Sequence, residues 1–174
     1  MNEVLNCLET RRSVRKYLPK QIADAELNAI LEAGIYAPTA MGRQSPKIVV
    51  LQKPEDVAEL ERMNAAVLGN PDSHPFYGAP TVLVVLADAK AGTAVEDGSL
   101  VLGNLMNAAH ALGVGSCWIH RAREEFASGE GKALLKRWGI EGDWVGVGHC
   151  ILGYAAEPAP APAPRKADYI YRIV

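Results

Sequence analysis

Apolar residues recur along the chain at spacings of three and four, which is typical of helices with one buried face. This pattern occurs in four segments: Val4, Leu5 and Leu8; Leu27, Ile30, Leu31 and Ile35; Leu102, Leu105, Met106, Ala109 and Leu112; and Phe126, Leu134, Leu135 and Trp138. A fifth helix is predicted from Pro54, because the first turn of a helix accepts proline, to about Val67.

Runs of β-branched and apolar residues predict four strands. They cover residues 47–52, 81–86, 114–119 and 145–152. Helices and strands therefore alternate, and alternation alone favours a doubly wound parallel sheet.

The second predicted helix has clear limits at both ends. Asp24 is a suitable N-cap for this helix. That helix ends at Ala37, because Pro38 disfavours helical backbone in the residue before it.

The composition changes after Tyr154. Prolines at every second position of residues 157–164 exclude a helix and favour an extended polyproline arm. The arm ends in residues 168–174, which are aromatic and β-branched and favour a strand. We expect one domain over residues 1–155 and a C-terminal arm over residues 156–174 that packs on a second subunit.

Composition and charge narrow the function classes. The chain has 174 residues, 49% hydrophobic and 22% charged, as expected for one ordinary globular domain. A net charge of -2 gives no global positive field for nucleic acid or an anionic membrane surface. The first residues do not resemble a secretory signal, and no stretch reaches the ~18 apolar residues of a membrane span. We expect a soluble cytoplasmic protein whose anion sites are local.

The cysteines and histidines do not form a recognisable catalytic or metal pattern. Cys7, Cys117 and Cys150 are far apart in the sequence, which argues against a disulfide framework and a zinc site. Cys117 is interpreted as a small buried hydrophobe rather than a nucleophile, because no histidine and acid are placed beside it by sequence. His110 is interpreted as structural. We therefore expect no metal site.

A basic cluster follows the first predicted helix. If that helix continues, Arg11 and Arg15 share one face, with the Ser13 hydroxyl between them. Guanidinium groups and a short hydroxyl donor suit a phosphate monoester, which has close to two negative charges. Basic side chains at a helix C-terminus also balance the helix dipole, and for the cluster taken alone this second interpretation is favoured.

A second candidate site is the ten-residue connection APTAMGRQSP, residues 37–46, between a predicted helix and a predicted strand. Its amide, hydroxyl and backbone groups could surround a planar heterocycle whose edge has alternating donors and acceptors. Taken alone, an ordinary helix-to-strand turn is the simpler interpretation.

The order and spacing of the motifs resemble the FMN-dependent nitroreductase family. The segments are RRSVRKY at 11–17, APTAMGRQSP at 37–46, KIVVL at 47–51, FYGAP at 76–80, DGSL at 97–100 and ALGVGSCWI at 111–119. The resemblance covers nearly the whole chain. It implies an α+β fold, a nitroreductase-like α/β/α sandwich with a central, mostly antiparallel sheet. It also implies a homodimer with FMN at the subunit interface, in which the C-terminal extension is exchanged with the partner.

The resemblance also implies roles for individual residues. Arg11 and Ser13 match phosphate ligands, and Arg15 matches a basic residue near the pyrimidine end of the flavin, where a cation stabilises the charge that reduction creates. Arg165 or Lys166, with no choice between them, completes the phosphate site. The implied cofactor-binding set is Arg11, Arg12, Ser13, Arg15, Pro38, Thr39, Ala40, Met41, Gln44, Trp118, Ile119, His120, Arg165 and Lys166.

Two parts of this set have further implied positions. Thr39 and Ala40 reach the flavin across the dimer interface, and the turn from Trp118 to His120 approaches the flavin N5 edge, where a backbone N–H can donate. The chain departs from the family pattern at three places. Gly42 stands where asparagine is common, and the order Gln44-Ser45-Pro46 replaces Gln-Pro-Trp. His120 stands where glycine is frequent, and it either contacts a substrate or has no role.

The implied reaction is a ping-pong hydride transfer. NADH or NADPH reduces FMN, leaves, and a small electron-poor acceptor such as a nitroaromatic or a quinone takes the electrons. Because FMN carries the chemistry, no side chain is required as a catalytic acid or base. Two alternatives stay open: an FMN-binding carrier or sensor without turnover, and a specialised dehalogenase or flavin-fragmenting relative.

Overall fold

A four-stranded sheet in the order β1-β2-β4-β3 forms the central layer of the molecule. The computed structural model describes residues 2–173. The strands are β1 Pro46–Leu51, β2 Thr81–Asp88, β3 Gly115–Ile119 and β4 Trp144–Gly153. All three strand pairs are antiparallel. The antiparallel α+β fold implied by the resemblance is confirmed, and the parallel sheet that alternation alone favours is wrong.

Within residues 2–173, six helices and one short 3₁₀ turn surround the sheet. They are α1 Glu3–Thr10, α2 Asp24–Ile35, the 3₁₀ turn Ala40–Gly42, α3 Pro54–Leu68, α4 Ala94–Ala111, α5 Ala122–Ala127 and α6 Gly129–Arg137. The single helix predicted between β3 and β4 is therefore wrong. Ser128 separates α5 from α6: its backbone is extended, and its side chain accepts a hydrogen bond from the Gly131 N–H to begin α6.

The start of α2 also differs from the prediction. Asp24 is the first helical residue, and the N-cap is Ala23. Alanine has no side-chain acceptor, so the cap depends on Glu26, whose carboxylate accepts a hydrogen bond from the Ala23 N–H at 2.9 Å. The Tyr154 hydroxyl donates to the same carboxylate at 2.6 Å, which joins this helix to the end of β4.

Two apolar cores lie on the two faces of the sheet. Strand β2 contributes to both, because successive side chains in a strand point to opposite faces. On one face α3, α5 and α6 contribute Leu60, Met63, Phe126, Leu134 and Leu135; on the other, α2 and α4 contribute Leu27, Ile30, Val101, Leu102 and Leu105. The helix predicted from the apolar spacing of Leu102, Leu105, Met106 and Ala109 is confirmed as α4.

A buried polar pair joins α5 to β4 within the first core. His149 Nε2 and Glu125 Oε2 are 2.5 Å apart, and both side chains are fully buried. Phe76 packs edge-on against the imidazole at 5.5 Å between ring centroids. If the pair were separated, each buried polar side chain would lose its partner, which is costly. The pair therefore holds α5 in its position against β4.

The basic cluster is extended, not helical. Helix α1 ends at Thr10, and Arg11 has extended backbone with ψ 135°. The Val14 N–H donates to the Ser116 carbonyl at 2.9 Å, and Ser13 and Ser116 form a parallel bridge. The helix does not continue into the cluster, so the shared helix face that its continuation would give Arg11 and Arg15 does not form. The edge of β3 offers backbone partners here, and Val14 packs against the apolar core.

The C-terminal arm begins beside this extended segment. The Ala156 N–H donates to the Lys16 carbonyl at 2.9 Å, and Tyr17 bridges Ala155. Residues 157–173 are exposed, and residues 168–173 form no strand within the single described chain. The exchange of this segment with a partner stays a prediction. None of the helices described over residues 2–173 has the length and apolarity to cross a bilayer.

Candidate functional site

The extended segment after α1 brings the basic cluster against β3. Because Ser13 bridges Ser116, Arg11 and Arg15 lie along the same sheet edge as the strand that leads to Trp118 and His120. Two groups of predicted site residues, far apart in the sequence, are therefore neighbours in one chain. Arg15 is exposed there, whereas Arg11, Arg12 and Ser13 are half-buried.

Two buried polar atoms at this edge have no hydrogen-bond partner. They are Arg11 Nη1 and Ser116 Oγ. A buried donor without a hydrogen-bond partner is costly, so such atoms in a native fold indicate a place where a ligand or water binds. Guanidinium and hydroxyl donors match the oxygens of a phosphate group. The residues present therefore fit the phosphate of FMN that the family resemblance implies, and its position stays a prediction.

The Arg12 side chain, unlike that of Arg11, is hydrogen-bonded to backbone carbonyls of its own segment. Its Nη1 donates to the carbonyls of Glu9 and Arg11, at 2.9 and 2.7 Å. These carbonyls lie at the C-terminal end of α1, where helical partners run out. Arg12 therefore caps a helix, and its predicted contact with the cofactor stays a prediction.

The charge of Arg11 acts on its neighbours. Burial, and then the charges of Arg11 and Arg12, hold the pKa of His110 below its usual value. Burial and Cys117 raise the pKa of the Cys150 thiol to about 12, and Arg11 opposes that rise. None of the ion pairs found within residues 2–173 includes Arg11, Arg12 or Arg15. This edge therefore carries positive charge that a phosphate group would offset.

A groove of about 220 Å³ runs between the extended segment and the start of the arm. Ser13, Arg15 and Lys16 line one side, and residues 157–160 line the other. Lys16 Nζ lies 2.9 Å from Glu157 Oε2, but both side chains are largely exposed and the pair is weak. The arm thus begins beside the basic cluster.

The turn after β3 presents aromatic side chains. Trp118 is 47% exposed, and its ring lies 5.4 Å from that of the exposed His120. Ser116 and Trp118, two positions apart in a strand, point to the same face of the sheet. Cys117 and Ile119 point to the other face and are buried. The interpretation of Cys117 as a buried hydrophobe is confirmed.

Asn64 of α3 is hydrogen-bonded to this turn at two points. Its side chain is fully buried, and Nδ2 donates to the His120 carbonyl at 2.9 Å. Arg121 Nε donates to Asn64 Oδ1, also at 2.9 Å. Arg121 has φ 83°, a left-handed backbone that non-glycine residues rarely adopt. The turn is therefore strained and supported from a neighbouring helix.

The connection between α2 and β1 is held by Asp97, at the start of α4. The Asp97 carboxylate accepts hydrogen bonds from the Ala40 N–H at 3.0 Å and the Ser45 hydroxyl at 2.7 Å. These bonds lower the pKa of Asp97. Within the connection, the Gln44 N–H donates to Thr39 Oγ1 at 2.9 Å. The connection is thus an ordered loop.

The geometry of the loop exposes its tip. Met41 and Gln44 have left-handed backbone, with φ 55° and 51°, and the Met41 side chain is 84% exposed. Thr39 and Gln44 also line a groove of about 390 Å³ against α2 and β1. Strained backbone of this kind is held in place by its surroundings and often occurs at ligand sites.

The loop and the basic cluster lie at opposite edges of the sheet. The loop leads into β1, and the cluster follows β3, with β2 and β4 between them. Three strand spacings separate these edges by roughly 14 Å. One chain therefore brings Arg11 and Ser13 to Trp118 and His120, but not to the loop residues Thr39 and Gln44. The exposed Arg165 and Lys166, in the arm, make no ion pair within residues 2–173.

Comparison with known proteins agrees with this arrangement. The model of the Nitroreductase family matches residues 8–76 and 70–154 of the chain. The chain belongs to the nitroreductase family. The two matched segments include the basic cluster, the loop and the turn after β3. The family resemblance inferred from the motifs is confirmed.

Two archaeal relatives of this nitroreductase family member carry the provisional name NADH dehydrogenase/NAD(P)H nitroreductase. The protein of Archaeoglobus fulgidus is 33% identical over 160 residues, which cover 88% of the chain and 86% of the relative. The protein of Methanothermobacter thermautotrophicus is 30% identical over 124 residues, or 67% of the chain, and the match spans 60% of the relative's length.

Solved nitroreductases share the fold over almost the entire chain. The Bacteroides fragilis nitroreductase with bound FMN is 33% identical, with a TM-score of 0.89, and the alignment covers 99% of this chain and 100% of that one. The Desulfitobacterium hafniense nitroreductase with bound FMN is 29% identical, with a TM-score of 0.88 and the same coverage. These similarities confirm the nitroreductase fold.

Sequence reasoning missed three residues of the site: Ser116, Asn64 and Asp97 as the loop anchor. Asn64 had a detectable signal, because it lies four positions after Leu60 on the apolar face of α3, where a polar side chain needs a buried partner. Asp97 belongs to the DGSL motif, but the motif does not indicate that its carboxylate binds the loop. Ser116 lies within a strand, and its position beside Ser13 depends on a long-range bridge that no local pattern indicates.

Proposed function

We propose that the chain is an FMN-dependent NAD(P)H oxidoreductase of the nitroreductase type. The observation that carries the proposal is the pair of unpartnered buried donors, Arg11 Nη1 and Ser116 Oγ, at the edge of β3. The FMN-bound relatives from Bacteroides fragilis and Desulfitobacterium hafniense support the choice of ligand. A Bacillus subtilis relative, 26% identical over 148 residues, is named an FMN reductase [NAD(P)H] and supports the choice of electron donor.

The chain's own residues bind and orient the cofactor. Arg11, Ser13 and Ser116 would hold the phosphate, and Arg15 would lie toward the pyrimidine end of the ring. The turn from Trp118 to His120 would present a backbone N–H to the N5 edge. When bound, FMN supplies the hydride chemistry, taking electrons from NADH or NADPH and passing them to a small electron-poor acceptor such as a nitroaromatic or a quinone. No side chain is then needed as an acid or base.

The site is completed by a second copy of the chain. The loop residues Pro38, Thr39, Ala40, Met41 and Gln44 lie at the sheet edge opposite the basic cluster, which supports a site shared between two subunits. In a homodimer, the partner's loop would approach the flavin bound at the basic cluster. The exposed arm, which ends in aromatic and β-branched residues, extends to the partner and delivers Arg165 or Lys166 to a phosphate group.

The absorbance spectrum of the protein tests this proposal. The purified protein, reconstituted with FMN, is expected to be yellow and to bleach under anaerobic NADH or NADPH. A nitroaromatic or quinone should then restore the colour. An FMN-binding carrier or sensor would bind FMN without bleaching, and a dehalogenase would bleach but prefer a halogenated acceptor. A protein that bound no FMN at all would overturn the proposal.

The Arg11→Ala substitution tests the phosphate assignment. Losing a charge-assisted hydrogen bond costs about 1.5 to 3 kcal/mol, so the Kd for FMN should rise roughly 10- to 150-fold. Arg62→Ala is the matched control, because Arg62 is an exposed arginine paired with Glu130 on a different surface. If both variants bind FMN as the wild type does, Arg11 does not hold the phosphate.

A further inference from the structure

The turn after β3 is held by a residue that does not face the predicted flavin site. Asn64 is fully buried in α3, and both ends of its amide are engaged by the turn. Nδ2 donates to the His120 carbonyl and Oδ1 accepts from Arg121 Nε, each at 2.9 Å. A buried amide is costly unless it is hydrogen-bonded, so these two contacts account for Asn64 being in the core.

The backbone at this turn needs such support. Arg121 has φ 83° and ψ 0°, and it is the N-cap of α5. Left-handed backbone at a residue with a side chain is strained, and it persists only where surrounding contacts hold it. Asn64 contacts the carbonyl before the strained residue and the side chain of the strained residue itself. It therefore constrains the peptide groups at His120 and Arg121 together.

The orientation of these peptides matters for a flavin. Under the proposed function, the His120 turn presents a backbone N–H to the N5 edge. Hydrogen bonds to flavin ring nitrogens change how tightly the oxidised and reduced forms are bound, and so change the reduction potential. A shift of the turn would alter that hydrogen bond without removing any group that touches the cofactor.

We propose that Asn64 is a positioning residue that sets the orientation of the His120 peptide, and thereby the reduction potential of bound FMN. This inference rests on the proposed function. Asn64 itself touches neither cofactor nor substrate. Its effect passes through the His120 carbonyl and the Arg121 side chain.

Two variants separate the contacts. Asn64→Leu keeps a similar volume and removes both hydrogen bonds. Asn64→Asp keeps the acceptor for Arg121 and loses the donor to the His120 carbonyl. Gln21→Leu is the control: Gln21 also donates to a backbone carbonyl, that of Pro80 at 3.1 Å, and accepts from Thr81, but it lies away from the turn.

The decisive readout is the midpoint potential of bound FMN, measured by spectroelectrochemical titration. Both Asn64 variants should change the ratio of oxidised to reduced FMN affinity at least tenfold, which is about 30 mV for a two-electron couple. Gln21→Leu should lower the melting temperature and leave the potential unchanged. Potentials equal to wild type in the Asn64 variants would overturn the inference, and Asn64→Asp decides alone if Asn64→Leu does not fold.

Amide hydrogen exchange in the apoprotein gives an independent readout. The backbone N–H groups of residues 120–122 should exchange faster in Asn64→Asp than in wild type, because one support of the turn is lost. Unchanged exchange would contradict the positioning role. A wild-type protein that bound no FMN would instead overturn the proposed function, and the exchange result would still report on the turn.

Discussion

The basic cluster and the loop between α2 and β1 are similar in composition and position along the chain. They differ in whether one chain places them beside the other predicted site residues. Both are short polar segments beside a predicted helix, and both match family motifs. The cluster finds its partners within the chain, because Ser13 bridges Ser116 and the cluster lies along β3. The loop is ordered by Asp97, but it lies at the opposite edge of the sheet from the basic cluster. Under the proposed function, the loop and the cluster of one flavin site therefore come from two subunits.

Removing the arm should have the largest effect on this comparison. Truncation after Ala156 removes both basic candidates of the phosphate site and the segment expected to reach the partner. We expect loss of FMN binding and of the dimer together, measured by fluorescence titration and analytical ultracentrifugation. Arg165→Ala and Lys166→Ala then identify the ligand, because only one should raise the Kd about 10- to 150-fold. A truncated protein that stays dimeric and binds FMN normally would show that the arm is not part of the site.

Removing the Asp97 hydrogen bonds that order the loop between α2 and β1 should also weaken FMN binding. In Asp97→Ala the Ala40 N–H and the Ser45 hydroxyl lose their acceptor, so the loop loses its order. We expect the Kd for FMN to rise about tenfold, for one lost charged hydrogen bond of about 1.5 kcal/mol. The ion pair between Arg62 and Glu130 is exposed and lies on a different surface, so Glu130→Ala serves as the control carboxylate. Wild-type FMN affinity in Asp97→Ala would remove the loop from the site.

The Asp97 contacts also predict a pH dependence. Because the pKa of Asp97 is lowered in the fold, its ionised form stabilises the protein above the unfolded value of about 3.9. That stabilisation is lost as the pH falls through the lower pKa of the folded state. The melting temperatures of wild type and Asp97→Asn should therefore converge as the pH is lowered from 5 to 3. A constant difference across this range would contradict the assignment.

Removing the Ser116 hydroxyl should have a smaller effect than removing Arg11. A neutral hydrogen bond contributes about 0.5 to 1.5 kcal/mol, so Ser116→Ala should raise the Kd for FMN roughly 2- to 12-fold. Ser99→Ala is the matched control, because the Ser99 hydroxyl only donates to the Val95 carbonyl of its own helix. Equal affinities in the two variants would mean that the unpartnered Ser116 hydroxyl binds something other than the phosphate.

The smallest expected change is at His110. Burial first, and then the charges of Arg11 and Arg12, hold the pKa of this imidazole below its usual value. In Arg11→Ala the burial persists but one cation is gone, so the pKa of His110 should rise part of the way toward 6.5. An NMR titration of the His110 ring measures this directly. An unchanged pKa would place the Arg11 guanidinium farther from α4 than the structure does.

Much of the fold was predictable because each element obeys a local rule. Helices α1, α2 and α4 follow the apolar periodicity, and the four strands follow runs of β-branched and apolar residues. Pro54 and Pro38 mark where α3 begins and α2 must end. The direction of the strands was not predictable from periodicity, because pairing depends on long-range contacts. The break at Ser128 was missed since the apolar spacing runs through it.

Site residues could be predicted where they belong to a sequence motif. They could not be predicted where they depend on a contact with a residue distant in the sequence. Arg11 and Ser13 have side chains that suit a phosphate, but only the family resemblance favoured that role over balance of the helix dipole. The helix that would place Arg11 and Arg15 on one face does not continue, because the free edge of β3 offers hydrogen bonds to the extended segment. Ser116 and Asn64 act through contacts with residues more than fifty positions away, which no local pattern shows.

Mixed dimers test the central claim most directly, since each flavin is expected to use Arg11 of one subunit and the loop of the other. An Arg11→Ala subunit paired with an Asp97→Ala subunit should form one site with both changes and one with neither. We predict that such a dimer, isolated with two affinity tags, binds one FMN at the wild-type Kd. If instead no site retains wild-type affinity, each site lies within one subunit and the account is wrong.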